Sequence, residues 1–99
     1  MAIVYIEEYQ NLPKDANGFL PIVGSLIATQ KVTVGASSTQ SSAFNAKTNY
    51  VVIQVDTGSC QFETGSNPTA DGDSRLLVAG QRVPLSVVKE GKIAVIEKQ

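Results

Sequence analysis

The hydrophobic pattern is densest in residues 48–56, which read Thr-Asn-Tyr-Val-Val-Ile-Gln-Val-Asp. In an extended chain Val51, Ile53 and Val55 share one face. The positions between them are also mostly apolar, so both faces of this strand need cover by other parts of the protein. The segment therefore predicts an inner strand of a sheet or sandwich.

Shorter runs with a period of two lie before and after this segment. Turn-forming residues separate them, and no segment sustains the 3.6-residue period of a helix. We therefore predict an all-β protein, a small β-sandwich of about seven or eight short antiparallel strands. The other predicted strands are residues 3–9, 30–34, 60–63, 75–79, 82–88 and 93–96.

The turn signals predict how some of these strands are joined. Short turns at residues 56–59 and 89–92 are expected to connect neighbouring strands as hairpins, and a turn at residues 80–81 is expected to lead into the strand that follows it. Pro84 cannot donate a main-chain hydrogen bond, which favours a sheet edge or a bulge for the strand that contains it. Polar residues predict surface loops at 37–42 and 65–74.

The N-terminal part of the chain has a different pattern. Residues 3–9 alternate but carry Glu7 and Glu8, whose charges disfavour edge pairing, so this strand is expected at a sheet edge or in an arm. Residues 19–27 are apolar but interrupted by Pro21 and Gly24, which favours an extended, irregular segment. We predict an N-terminal strand and extended arm over residues 1–28, followed by the sandwich over residues 29–99, in a single domain overall.

Two interpretations of the apolar residues in this arm remain open. They cover one end of the protein's own sandwich, or they lie across a neighbouring subunit, because a segment broken by Pro and Gly pairs poorly within its own sheet. In the second interpretation the candidate interface residues are Tyr5, Tyr9, Phe19, Leu20, Ile22 and Val23.

Composition narrows the classes of function. The formal net charge is −1 and the eight Lys and Arg residues form no basic stripe, which argues against nucleic-acid binding. The apolar segments are interrupted well short of a membrane span, so no membrane partner is expected. The first residues lack the pattern of a signal peptide, which predicts synthesis in the cytosol.

Little in the sequence indicates catalysis, a metal or a cofactor. Histidine, the commonest general base, is absent, and Cys60 is the single cysteine. In an alternating strand with Phe62, Cys60 is expected to be a small buried hydrophobic residue. Asp71-Gly72-Asp73 resembles the start of a calcium loop, but the later bidentate glutamate is missing, so a plain turn is expected. We therefore predict no enzymatic activity, no metal site and no cofactor.

Five segments resemble small structural proteins encoded beside the capsid genes of tailed bacteriophages. They correspond to a strand, the approach to a central strand, a loop, a turn and a closing strand, and they span about two thirds of the chain. The segments are residues 28–35, 42–51, 67–70, 79–80 and 91–96.

This resemblance implies a virion accessory protein. For so small a protein it implies a head decoration or cement role, in which the chain binds the major capsid protein on the capsid exterior after synthesis in the host cytoplasm. A homo-oligomer is expected, with a trimer favoured because it matches the local threefold positions of an icosahedral lattice. The alternatives are a host-surface or carbohydrate-binding sandwich module, and a head-completion or tail component of the virion.

Overall fold

The structure, a computed structural model, describes residues 2–10 and 26–99, and all regular secondary structure in these ranges is β. Eight strands form two four-stranded antiparallel sheets, which confirms the predicted all-β sandwich. The strands are β1 (Ile3–Tyr9), β2 (Leu26–Thr33), β3 (Thr39–Gln40), β4 (Tyr50–Val55), β5 (Ser59–Gly65), β6 (Arg75–Val78), β7 (Val83–Ser86) and β8 (Lys92–Glu97).

The first sheet has the strand order β2-β1-β4-β7, and the second has the order β3-β8-β5-β6. Strand β4 lies between β1 and β7, and Val51 and Ile53 are fully buried, which confirms the predicted inner strand. Strand β8 is likewise an inner strand of the second sheet. Pro84 lies in β7, an edge strand, as predicted.

The hydrophobic core lies between the two sheets. Each inner strand contributes alternate side chains to it, because successive residues of a strand point to opposite faces. Cys60 and Phe62 of β5 belong to this core, as predicted. Its buried members are Val4, Ile6, Val32, Val34, Phe44, Val51, Ile53, Val55, Cys60, Phe62, Leu77, Ile93 and Val95.

The prediction that residues 3–9 form an edge strand or an arm is wrong. Strand β1 pairs with β2 on one side and with β4 on the other, and both Val4 and Ile6 are fully buried. The predicted division at residue 28 falls inside β2, so the sandwich includes β1 and all of β2. The remainder of the predicted arm, residues 11–25, lies outside the described residues.

The predicted hairpins at residues 56–59 and 89–92 are also wrong. The turns after β4, β6 and β7 each lead to a strand of the opposite sheet. At the first of these turns Asp56 still contacts β1, since its main-chain N–H donates to the carbonyl oxygen of Ile3 at 3.1 Å. Gly58 then adopts a positive φ of 65° as the chain crosses the sandwich. A turn signal predicts a reversal of the chain but does not determine which sheet the next strand joins.

A turn between β7 and β8 shows how closely backbone conformation depends on single residues. Glu90 has a φ of 54°, a left-handed conformation that costs an L-residue about 1–2 kcal/mol. Gly91 is needed for space instead, since an added Cβ would lie 2.6 Å from Val88 Cγ2 and 2.9 Å from the carbonyl oxygen of Gly65. Glycine would therefore suit position 90 for its backbone conformation, whereas position 91 needs glycine for space.

We predict opposite effects for substitutions at these two positions. Glu90→Gly should raise the free energy of unfolding by roughly 0.5 kcal/mol, because relief of the left-handed strain exceeds the added entropy of the unfolded chain. Gly91→Ala should lower it by about 1–3 kcal/mol through overpacking against backbone. Urea denaturation of both variants measures the difference, and stabilisation by Gly91→Ala would contradict the packing described.

Candidate functional site

The candidate site lies on the outer face of the first sheet, the face turned away from the second sheet, where the predicted interface residue Tyr5 is found. Tyr5 of β1 lies there between two neighbours set by strand register, Lys31 on β2 and Gln54 on β4. The Lys31 Nζ atom lies 5.5 Å from the centre of the Tyr5 ring, within the range of a cation–π contact. Strand pairing, and not proximity in sequence, therefore assembles this site.

A shallow groove of about 220 Å³ follows this face. Its side chains include one aromatic ring, one carboxylate, one ammonium group and the neutral polar groups of Thr29 and Gln54, so it suits a mixed polar and apolar contact. Its lining residues are Tyr5, Ile6, Glu7, Thr29, Gln30, Lys31 and Gln54.

Of the two charged residues that line the groove, Glu7 has an ion-pair partner and Lys31 has none among the described residues. Glu7 forms an ion pair with Arg82, and Arg82 also donates to Gln54 Oε1 at 3.4 Å. In the described part of the chain no carboxylate lies within ion-pair distance of Lys31. The groove therefore has a cationic side at β2 that its own described residues do not neutralise.

Tyr9 is held at the end of the same strand. Its hydroxyl donates to Glu7 Oε1 at 3.2 Å, and only 3% of the residue is exposed. Burial, together with the negative charge of Glu7, raises the pKa of Tyr9 above its ordinary value. The Tyr9 hydroxyl therefore holds the Glu7 carboxylate in position, whereas the half-buried Tyr5 is accessible to a ligand or partner.

The structure thus brings two of the six predicted interface residues to one face. Tyr5 lines the groove and Tyr9 supports a groove residue. Phe19, Leu20, Ile22 and Val23 lie outside the described residues. The sequence offered no local signal for Lys31, Gln54 and Arg82, because their association depends on the pairing of distant strands.

Glu8 is the most unexpected residue near this site. The sequence predicts that its charge protects a sheet edge, but the side chain points inward and only 2% of the residue is exposed. Its Oε1 atom accepts hydrogen bonds from the Asn45 N–H at 2.8 Å and from the Thr48 hydroxyl at 2.9 Å, and its Oε2 atom accepts one from Gln30 Nε2 at 3.1 Å. This carboxylate joins β1 to β2 and to the segment before β4.

The Gln30 side chain extends the same network. Its Oε1 atom accepts the Ser42 N–H at 3.0 Å, and its Nε2 atom donates to the Ser42 carbonyl oxygen at 3.2 Å. The side-chain amide of Gln30 thus pairs with both main-chain polar groups of Ser42, as the main chain of an adjacent strand would. The network holds the chain that crosses between the sheets and so fixes the inner side of β2.

The segment 71–74 forms a turn whose polar groups bond to one another and to the Gln61 side chain of β5. Asp71 Oδ1 accepts the Asp73 N–H at 2.9 Å, and the Ser74 hydroxyl accepts the Asp71 N–H at 3.0 Å. Within residues 2–10 and 26–99, no three His, Cys, Asp or Glu side chains are grouped as a metal site would require. The loop geometry is that of the turn predicted from its Asp and Gly residues.

Cys60 is fully buried, which confirms the prediction that it serves as a small hydrophobic residue. Burial raises the pKa of the Cys60 thiol to about 11, so the nucleophilic thiolate is scarce at neutral pH. Among the residues that the structure describes, none lowers the pKa of the Cys60 thiol to activate it for nucleophilic attack.

We predict that Cys60 resists thiol reagents at about pH 8 until the protein unfolds. The unfolded chain begins to lose the thiol proton near the ordinary value of 9.0, whereas the folded chain keeps it up to about 11. The free energy of unfolding should therefore fall as pH rises through this window. Labelling with and without denaturant tests the first point, and Cys60→Ala should lose this component of the pH dependence. Rapid labelling of the folded protein would contradict the burial.

No helix in the described ranges is long and apolar enough to span a membrane. Comparison of the chain with protein-family models, with curated proteins and with solved structures finds no match. The functional interpretation therefore depends on the chain's own residues and geometry.

Proposed function

We propose that this chain is a capsid decoration protein, which binds the exterior of an assembled phage head and stabilises the shell. The observation that carries the proposal is the outer face of the first sheet. The half-buried Tyr5 lines a shallow groove there, and Arg82 bonds to two other residues of that groove, Glu7 and Gln54. Tyr and Arg are the residue types enriched where protein interfaces contribute most binding energy. The sequence segments that resemble phage structural proteins supply the class of partner.

The proposed mechanism is mechanical, not chemical. A small sandwich that lies across the seam between capsid subunits adds interface area, and a shell with bound copies is stabilised by mass action because binding favours the closed state. A trimer would present the same face three times around a local threefold axis, so modest contacts act together. The partner would be the major capsid protein.

Cosedimentation with shells assembled without the protein tests this function. The wild-type chain should sediment with the shells and raise their disruption temperature. Tyr5→Ala and Arg82→Ala should each weaken binding by about tenfold or more, whereas Thr64→Ala, an exposed substitution in the second sheet, should leave binding unchanged. Failure of the wild-type chain to sediment with the shells would overturn the proposal.

The groove also gives some support to the carbohydrate-binding alternative. Tyr5 could stack on a sugar ring, and the amide of Gln54 and the carboxylate of Glu7 could bond its hydroxyls. Lys31 already lies over that ring, so a sugar would have to displace it. Glycan-array binding that is lost in Tyr5→Ala, without binding to shells, would favour this alternative.

A further inference from the structure

The edge strands of the two sheets are not equally protected. An unpaired edge exposes main-chain donors and acceptors to any other strand, and natural proteins shorten, interrupt or cover such edges. Strand β3 has two residues, and β7 has four, one of which is Pro84. Strand β6 also has four residues, and both main-chain polar groups of Val78 bond to Gln81. Three of the four edges are thus blocked or short.

Strand β2 is the exception. It has eight residues and pairs with β1 on one side, and no described strand lies on its other side. A hydrogen bond from the Val34 N–H to the Ala2 carbonyl oxygen fixes the alternation of this antiparallel ladder. By that alternation, residues 28, 30 and 32 bond to β1. The main-chain groups of Thr29, Lys31 and Thr33 therefore point away from the sheet.

The side chains of the same three residues lie on the outer face. All three are exposed, and Thr29 and Lys31 line the groove beside Tyr5. Lys31 is the one cation that lines the groove, and no described carboxylate lies within ion-pair distance of it. A strand added to this edge would place a side chain directly opposite Lys31, where an acidic residue forms a favourable cross-strand pair.

We propose that the edge of β2 accepts an extended segment of the partner protein as a fifth strand of the first sheet, with an acidic residue opposite Lys31. Main-chain hydrogen bonds at Thr29, Lys31 and Thr33 supply affinity, and the charge pair together with the groove supplies selectivity. The partner's identity as a capsid protein rests on the proposed function, but the acceptor edge itself does not.

Amide hydrogen exchange in the free protein tests whether the edge is open. The amides of Thr29, Lys31 and Thr33 should exchange roughly a hundredfold faster than those of residues 28, 30 and 32, which serve as internal controls in the same strand. Equal protection of both sets would overturn the proposal. It would mean that residues 11–25 or a second copy already cover the edge, and sedimentation equilibrium would separate these two cases.

Substitution at Lys31 tests strand addition. Lys31→Pro removes an outward N–H without removing a bond to β1, and Lys31→Glu keeps that N–H while reversing the charge. Both should reduce cosedimentation with shells by about tenfold or more, with circular dichroism unchanged. If Lys31→Pro alters the circular dichroism spectrum, the binding of the Lys31→Glu variant alone tests the proposal. Wild-type binding by a folded Lys31→Pro variant, or by Lys31→Glu, would overturn the proposal.

A second experiment, with a synthetic peptide, distinguishes failure of this proposal from failure of the proposed function. If the wild-type chain does not sediment with shells, a synthetic seven-residue peptide of alternating Thr and Val with a central Glu replaces them as the probe. Addition of this peptide should shift the NMR signals of the Thr29, Lys31 and Thr33 amides. The same peptide with a central Lys should shift these signals much less. Absence of any shift with the central-Glu peptide would overturn the acceptor edge.

Discussion

A variant that begins at Thr29 is expected to be unfolded, because it lacks β1 and the first three residues of β2. Strand β1 pairs with β4 along six positions, so its removal exposes one side of the inner strand. It also removes the fully buried Val4 and Ile6, each worth about 1.5–3 kcal/mol in apolar burial. Together with the lost strand pairing, this loss approaches the whole stability of a small domain, about 5–15 kcal/mol.

Circular dichroism and urea denaturation measure this result. Two full-length variants provide the matched controls. Ile6→Asp should unfold the protein as the truncation does, because it places an unpaired carboxylate in the core. Tyr5→Ala, the adjacent substitution on the outer face, should remain folded. A β-rich truncated chain with a cooperative unfolding transition would show instead that residues 29–99 are sufficient for the fold.

The inner strands were predictable because their signal is local. Residues 51–55 and 93–96 are mostly apolar on both faces, and such a segment must be covered on both sides wherever it lies. The turns were recognised for the same reason, since Gly58 supplies a backbone conformation that its immediate neighbours require. Fold class follows from such local patterns taken together.

Strand order was not predictable by the same reasoning. Glu7 and Glu8 are identical in type and adjacent in sequence, yet Glu7 lies on the outer face and Glu8 is buried. The donors that satisfy Glu8 come from residues 22, 37 and 40 positions away. A local pattern contains no information on such partners, so a buried carboxylate and a solvated one look alike.

The candidate site was predictable only in part. Tyr5 and Tyr9 were recognised because they alternate with core positions along one strand. Lys31 and Gln54 flank Tyr5 only through the registers of β2 and β4, and a one-residue shift in either register would move them to the other face. The open edge of β2 depends likewise on strand order, so sequence patterns alone cannot identify it.

Glu8→Ala is expected to be among the most damaging single substitutions of a polar residue. It leaves the Asn45 N–H, the Thr48 hydroxyl and one Gln30 N–H without their acceptor, and Thr48 is itself only 1% exposed. Buried donors left unpaired each cost about 1–3 kcal/mol. Because entering water can satisfy some of them, we expect a loss of about 2–4 kcal/mol in the free energy of unfolding.

Two comparisons identify the hydrogen bonds as the cause. Glu8→Gln keeps one acceptor oxygen but turns an N–H₂ group towards the donors, so it should cost less than Glu8→Ala, roughly 1–2 kcal/mol. Glu7→Ala removes the adjacent carboxylate, whose partly exposed ion pair with Arg82 should contribute about 0–1 kcal/mol. Urea denaturation of the three variants gives these values.

A double-mutant cycle then tests the network directly. Thr48→Val removes the hydroxyl donor, so the Glu8→Ala and Thr48→Val effects should not be additive, and the double variant should be more stable than their sum predicts. Non-additivity distinguishes loss of a shared hydrogen bond from a general loss of packing, because independent packing defects add. Strict additivity, or equal effects of Glu7→Ala and Glu8→Ala, would contradict the role assigned to the buried carboxylate. The expected ranking follows from the three donors that converge on Glu8 and join β1, β2 and the segment before β4.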